Sequence, residues 1–200
     1  ARPAGGWWLN AAGLAAWLAG RTPDGAGLVK QGALWRLDPR LGIALDGATR
    51  SAADGMLYTT DVVAPRRDVG FLVGVQGAHG CLPTGGLVRF GGDGRGAAVH
   101  PGAPLPQPDW AAIAESGRFK LLLATPGLFE DGWRPDGIGA DGRWQAPGFS
   151  ARLVAACVGR AETVSGWDLA GRCPKPAQRV APVAAVYFFD RFDGPVETLP

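Results

Sequence analysis

The sequence predicts a strand-rich α+β fold with few short helices and long loops, and three observations carry that expectation. Gly and Pro together supply 49 of the 200 residues, a share that cuts helices short and multiplies turns. The apolar runs are brief and bounded by Gly, Pro, Asn or Asp, the punctuation of strands joined by turns. The hydrophobic fraction of 46% is that of a globular protein rather than a disordered one.

Taken in order, Gly6-Trp7-Trp8-Leu9 is a bulky apolar opening, and Asn10 caps a short helix that puts Leu14, Trp17 and Leu18 on one side before Gly20 stops it. A loop from Arg21 to Gly32 leads to Ala33-Leu34-Trp35-Arg36-Leu37, ended by Pro39. Arg40 to Asp46 then reads as a separate short strand and Gly47 to Gly55 as an irregular loop. Met56 to Ala64 and Val69 to Val75 read as a hairpin turning at Pro65-Arg66-Arg67-Asp68.

Beyond the proline-laden stretch from Pro101 to Pro108, Asp109 caps a helix through Ser116, and Phe119 to Thr125 is a buried strand. Pro126 to Gly148 is a long insertion anchored by Trp133 and Trp144, of a length more often functional than incidental. Arg152 to Arg160 and Val183 to Phe189 are strands. Ser165 to Leu169 and Arg172 to Pro176 form an extended loop between them. There is no internal repeat and no firm domain boundary, so residues 1–200 read as a single region.

Composition excludes several classes of function. The net charge of +2 argues against a protein that coats nucleic acid indiscriminately, a mode that rests on net positive charge. Three lysines against seventeen arginines favour local phosphate contacts, because the guanidinium pairs with phosphate through two parallel hydrogen bonds. Cys81, Cys157 and Cys173 are odd in number and lack C-x-x-C spacing, which indicates neither a disulfide framework nor a zinc site and fits a reducing cytoplasm. No apolar run reaches membrane-spanning length. The chain begins at Ala1 without a methionine, and a preceding segment is expected.

The run from Leu87 to His100 is the centre of the functional reading. Two short strands flank a loop with Gly91, Gly92, Gly94, Arg95 and Gly96, where glycines admit positive φ and close backbone approach and an arginine supplies a cation. An ordinary tight hairpin satisfies the same residues. The loop departs from the dinucleotide fingerprint at Ala97 and lacks the Lys-Ser/Thr ending of a phosphate-binding P-loop, so no nucleotide cofactor is expected.

Catalytic signatures are missing: no G-x-S-x-G, H-E-x-x-H or EF-hand pattern occurs. His79 and His100 read as a turn residue and a strand end, and Asp131, Asp136 and Asp141 as turn residues rather than metal ligands. The eight tryptophans, most flanked by apolar or Gly/Pro residues, are expected to pin loops to the sheet.

Several stretches in one order carry a resemblance: Gly6-Trp7-Trp8-Leu9; Leu41-Gly42-Ile43-Ala44-Leu45-Asp46 with Arg50; Gly55-Met56-Leu57-Tyr58; and Phe90-Gly91-Gly92-Asp93-Gly94-Arg95. They continue in Thr125-Pro126-Gly127-Leu128-Phe129, Gly132-Trp133, Ser165 to Leu169, Lys175-Pro176 and Val186-Tyr187-Phe188-Phe189. The series resembles the third subunit of the Cmr complex, in the RAMP superfamily of type III-B CRISPR effectors, without the usual N-terminal part. Where a Gly-Ser is usual before the last strand, this chain has Ala184-Ala185.

The resemblance implies a ferredoxin-like (RRM-like) RAMP fold, with residues 1–200 as the middle and C-terminal part of a longer protein. It implies a non-catalytic, cytoplasmic RNA-binding subunit that caps the 5′ repeat-derived handle of the guide CRISPR RNA. That subunit contacts the large polymerase-type subunit and the backbone RAMP subunits. By the same resemblance Gly91, Gly92, Gly94, Arg95, Arg40 and Arg50 face RNA, and Trp133, Trp167 and Lys175 face partners, with no metal and no cofactor. Two rival readings are a metal-independent RAMP-type ribonuclease using His79 or His100 as base, and a tryptophan-rich carbohydrate-binding β domain.

Overall fold

The structure, a computed structural model, describes residues 5–75, 77–78, 80–91 and 94–200. The chain is strand-rich with few short helices and forms two compact units, Ala1–Pro108 and Asp109–Pro200, divided at the end of the proline-laden stretch.

In the first unit β1 (Trp7–Leu9) pairs antiparallel with β2 (Leu28–Lys30). Between them α1 (Ala11–Leu18) starts as its sequence predicts, the Asn10 side chain accepting the Gly13 N–H at 2.9 Å. The helix lies so close to the 3-10 turn Gly25–Gly27 that a Cβ on Gly13 would sit 2.2 Å from the Gly27 carbonyl oxygen. Only glycine fits there. A one-turn helix, α2 (Gln31–Leu34), leads into the longest pair in the molecule.

That pair is a two-stranded ribbon of β3 (Trp35–Leu45) and β4 (Ala52–Pro65), in register from Trp35 opposite Pro65 to Ile43 opposite Leu57, with a shift before Leu45 opposite Ala52. It corrects the strand boundaries expected on each side. Pro39 does not end β3, because in a two-stranded ribbon every second amide of each strand points away from the partner, and a proline at such a place breaks no ladder bond. The Gly47–Gly55 loop shrinks to a turn closed by the Asp46 N–H on the Ser51 carbonyl.

The strand beginning near Met56 therefore pairs backward with β3 and not forward with residues 69–75, which form no strand. Arg66 fixes this choice: its amide donates to the Leu34 carbonyl at 2.8 Å and its Nε to the Gly32 carbonyl at 3.0 Å. Phe71 packs instead on Phe90, ring centres 5.1 Å apart. That ring belongs to a second ribbon, β5 (Leu87–Phe90) with β6 (Arg95–Ala98), matching the strands expected around the glycine-rich loop.

The two faces of the β3–β4 ribbon differ in character. Leu37, Leu41, Ile43, Leu45, Leu57 and Val63 lie on one face and are all more than half exposed. On the other, Asp38, Arg40 and Gly42 are half-buried, and the Tyr58 ring lies across Gly42, where a Cβ would fall 2.3 Å from the Tyr58 Cζ.

In the second unit α3 (Trp110–Ser116) is capped by Asp109, which accepts the Ala112 N–H at 3.0 Å, and ends at Gly117 in the left-handed region. Four strands follow in one antiparallel sheet: β7 (Phe119–Leu122), β8 (Arg143–Ala146), β9 (Phe149–Cys157) and, numbered after the arm described next, β14 (Val186–Asp193). Their spatial order is β7-β14-β9-β8.

The stretch expected as an extended loop is a nested hairpin arm. In it β10 (Glu162–Val164) pairs with β13 (Gln178–Val180), and β11 (Trp167–Asp168) with β12 (Cys173–Pro174). Its tip is tied by the Asp168 carboxylate, which accepts the Ala170 and Gly171 amides. That local turn lets short strands without a strong apolar pattern pair.

The core of this unit is Phe119, Ile138, Phe149, Ala151, Ala185, Tyr187 and Phe189, with Ile113 of α3 and Trp144 of β8 packed against it. Phe119 and Phe189 stack at 4.6 Å, and Trp144 meets Phe149 edge-on at 5.1 Å. A register shift near the end of β14, with Arg191 at φ +52°, re-phases the strand so that Phe192 also reaches Phe119. Tyr187 has no exposed surface, and its hydroxyl donates to the Trp133 carbonyl in the long insertion. Burial holds its phenol above the ordinary tyrosine pKa, so it remains a donor.

Tyr187→Phe leaves the Trp133 carbonyl without its donor and should destabilise the protein by about 1–3 kcal/mol, the cost of an unsatisfied buried polar group. Urea unfolding should show a lower midpoint with an unchanged slope. An unchanged midpoint would mean that this hydrogen bond contributes nothing to stability.

Candidate nucleic-acid interface

The β5–β6 hairpin sets Phe90 opposite Arg95 and Arg89 opposite Gly96, and its base is closed by the Val99 N–H on the Gly86 carbonyl at 2.9 Å. Its turn is closed by the Gly94 N–H on the Gly91 carbonyl at 3.0 Å, with Gly91 at φ +76° and Gly94 at φ +59°. Both backbone angles favour glycine. Gly92, expected to contribute here, lies outside the described residues.

A Cβ on Gly94 would fall 2.7 Å from Nη2 of Arg89, so the Arg89 guanidinium lies folded over that glycine. Arg89 was not singled out in the sequence. The available signal was its place opposite Gly96, where no side chain competes for the space across the hairpin. The turn thus gathers Gly91, Gly94, Arg95 and Arg89 at one end, two planar cations beside a backbone held by glycine geometry.

Arg40 and Arg50 lie on the other ribbon. Arg40 sits opposite Thr60 within β3 and pairs with Asp38 at 3.2 Å, both side chains 39% exposed, which offsets part of its charge. Arg50 is in the tip turn at φ +55°, its amide bonded to the Asp46 carbonyl at 2.8 Å. The Asp46 carboxylate organises that turn by accepting the Thr49 amide, the Thr49 hydroxyl and the Ala48 amide. These bonds, the Thr49 amide foremost, hold the Asp46 pKa below the ordinary aspartate value. Arg40 and Arg50 belong to β3 and its tip turn, not to the β5–β6 hairpin.

The residues expected to face partners all lie in the second unit. Trp167 and Lys175 come together in the hairpin arm: Trp167 is opposite Pro174, the Lys175 amide donates to the Gly166 carbonyl at 2.8 Å, and the Ser165 hydroxyl to the Lys175 carbonyl at 2.8 Å. Leu169 at the arm's tip is 85% exposed. Trp133 stands apart, half-exposed beside a concavity of about 350 Å³ that Val158, Arg179 and Pro182 also line.

The three aspartates of the insertion serve its turns. Asp131 pairs with Arg134, Asp136 accepts the Glu130 amide at 2.9 Å, and Asp141 accepts the Arg143 amide at 3.0 Å. Among the described residues no group of three His, Cys, Asp or Glu is placed to hold a metal ion. Of the two histidines, His100 is exposed two residues beyond the end of β6, not at the strand end expected, and His79 lies outside the described residues. No helix of the described residues is long and apolar enough to cross a membrane.

The chain is a CRISPR-associated protein: the family model described as CRISPR-associated protein (Cas_Cmr3) matches residues 1–200. It belongs to that family, and so to the subunits of the type III-B Cmr effector complex of antiviral defence. No curated protein matches it. Two of the motif pieces that carried the resemblance, Leu-Gly-Ile-Ala-Leu-Asp and Gly-Met-Leu-Tyr, are the two sides of one ribbon, with Gly42 opposite Tyr58 and Ile43 opposite Leu57.

The tip turn that positions Arg50 has a defined pH response. A folded-state pKa below the unfolded one means that Asp46 stabilises the turn above the unfolded aspartate pKa of about 3.9, and that this support is lost as pH falls through the lower folded value. The Ala48 and Thr49 amide resonances should hold their positions from neutral pH to about 4 and move only below it. Movement already at pH 6 would contradict the hydrogen-bonded carboxylate.

Proposed function

We propose that this chain is the RNA-binding, non-catalytic subunit that caps the 5′ repeat-derived handle of the guide CRISPR RNA within the Cmr complex, in the cytoplasm. In this reading it abuts the large polymerase-type subunit and the backbone RAMP subunits. The observation that carries it is the β5–β6 turn, where Arg89 and Arg95 flank a glycine-shaped backbone at an exposed hairpin end. Such an end suits a phosphate of a single strand, met by backbone and guanidinium rather than by a base-reading groove.

The ferredoxin-like architecture belongs to the same proposal. What supports it is the four-stranded antiparallel sheet of the second unit, with β14 and β9 central and α3 preceding it. We take the two described units to be parts of a single RAMP-type protein.

Subunit contacts find support in the apolar face of the β3–β4 ribbon and in the arm with Trp167 and Lys175. A two-stranded ribbon with six large exposed apolar side chains on one face is marginal in water and is stabilised by covering that face. Trp133 offers a half-exposed ring beside a concavity, the geometry of an interface anchor.

Arg95→Ala should weaken binding of repeat-derived RNA by about 1–3 kcal/mol, the range for a charged hydrogen bond. It should also reduce the slope of log affinity against log salt by about 0.7, the release expected for one single-strand phosphate contact. Unchanged affinity and slope would return the turn to an ordinary hairpin. Trp133→Ala should weaken assembly with the other Cmr subunits more than RNA binding, as measured by co-purification and by RNA titration of the same preparation. Loss of RNA binding alone, or equal loss of both, would contradict its assignment to a partner contact.

A further inference from the structure

In the second unit a concavity of about 350 Å³ lies between the long insertion and the base of the hairpin arm. Most of its lining is apolar: Val180, Ala181 and Pro182 are buried, Val158 is half-buried, and Trp133 is half-exposed. Gly159, Ala161 and Arg179 at its rim are exposed, so it opens to the surface. Its volume lies near the lower end of the range of binding pockets, about 300–1,000 Å³.

The polar groups of this lining are for the most part engaged within the chain. The amides of Gly132, Trp133 and Ala181 donate to the carbonyls of Phe129, Asp131 and Gly127 at 3.1, 2.9 and 2.8 Å. The Trp133 carbonyl accepts the Tyr187 hydroxyl, and the Asp131 carboxylate is paired with Arg134. Arg179 is the exception: among the described residues its side chain makes no hydrogen bond and no ion pair. Glu130, Arg160 and Glu162 flank lining residues in sequence but do not line the concavity.

Such a lining discriminates between occupants. A nucleobase carries donors and acceptors on its edges, and beside amides that are already spent those groups lose their water without gaining a partner. RNA also brings a phosphate with every nucleotide, against one unengaged cation here. An aliphatic or aromatic side chain needs no hydrogen bond, and a single carboxylate next to it matches a single guanidinium.

We propose that this concavity is an anchor pocket for a partner polypeptide of the Cmr complex. It takes one apolar side chain against Trp133 and Val158, while an Asp or Glu of the same segment pairs with Arg179. This rests on the reading that Trp133 faces a protein partner, and adds what that partner presents.

The test uses the native full-length protein, fluorescently labelled and titrated with the other Cmr subunits assembled on guide RNA. Ala161→Phe fills the concavity from its exposed rim and should weaken association about 30-fold or more, as loss of an interface anchor does. Arg179→Gln should weaken it about 2- to 5-fold, the worth of an exposed ion pair, and flatten its salt dependence. Arg179→Lys should keep most of both. Ala161 and Arg179 lie outside the buried core, and thermal midpoints equal to wild type would exclude unfolding as the cause. In the assembled complex, irradiated Arg160→p-benzoylphenylalanine should cross-link to a peptide with an acidic residue close to the adduct.

If Trp133→Ala weakens association while Ala161→Phe and Arg179→Gln do not, the pocket is overturned and the reading of Trp133 as a partner contact stands. If none of these variants changes association, Trp133→Ala included, both fall together. A cross-link from position 160 to RNA, or to a peptide without acidic residues, would also overturn the proposal.

Discussion

The hydroxyl of Tyr187 fixes more of the second unit than any other single group. It sits at the middle of a central strand with its ring fully buried, and a buried phenol must find an acceptor or carry the cost of desolvation. The acceptor it finds is the Trp133 carbonyl, far away in sequence within the long insertion. That bond ties the Trp133 segment of the insertion to the central strand, while β8, within the same insertion, joins the sheet by pairing with β9; the Trp133 ring is left half-exposed beside Arg179 and Pro182. The same strand places Phe189 against Phe119 on the inner face and Phe188 on the outer one. Core and outward surface are thus set by one alternation, which the register shift around Arg191 interrupts only after both faces are determined.

Elements whose signals are local were legible in the sequence. Asn10 and Asp109 cap the helices that they were expected to cap, because a side-chain acceptor three residues before an amide needs no distant partner. The strands around the glycine-rich loop and near the chain's end also followed from composition and turn residues. Pairing was less legible. Residues 56–64 have strand character whichever neighbour they choose, and Arg66 binding back to Leu34 and Gly32 is a tertiary event with no trace in local periodicity. The arm from Glu162 to Val180 was missed for the opposite reason, since its strands are too short to show alternation and are held by backbone pairing and the Asp168 turn.

The candidate sites show the same division. Glycines at Gly91 and Gly94 could be read as positions needing positive φ, and both adopt it. Arg89 could not be read in the same way, because its proximity to Gly94 depends on the hairpin register. Trp167 and Lys175, eight residues apart, become neighbours only because the arm folds on itself, whereas Arg40 and Arg50 remain on a ribbon separate from the turn they were grouped with. Resemblance joined these pieces by order along the chain; geometry sorts them by element.

The β3–β4 ribbon has a further consequence. Its 11-residue strand spans about 35 Å at ordinary strand rise, with the Arg50 turn at one end and the Arg66 anchor at the other. A ladder of paired backbones resists stretching and sliding, so the ribbon acts as a gauge that holds whatever grips its tip at a set distance from whatever grips its base. Because the two faces alternate with a period of two, the gauge can be lengthened or shortened only in even steps on each strand. An odd step would turn the leucine face to where Arg40 and Asp38 now look, and so exchange an oily surface for a charged one without altering a single residue type.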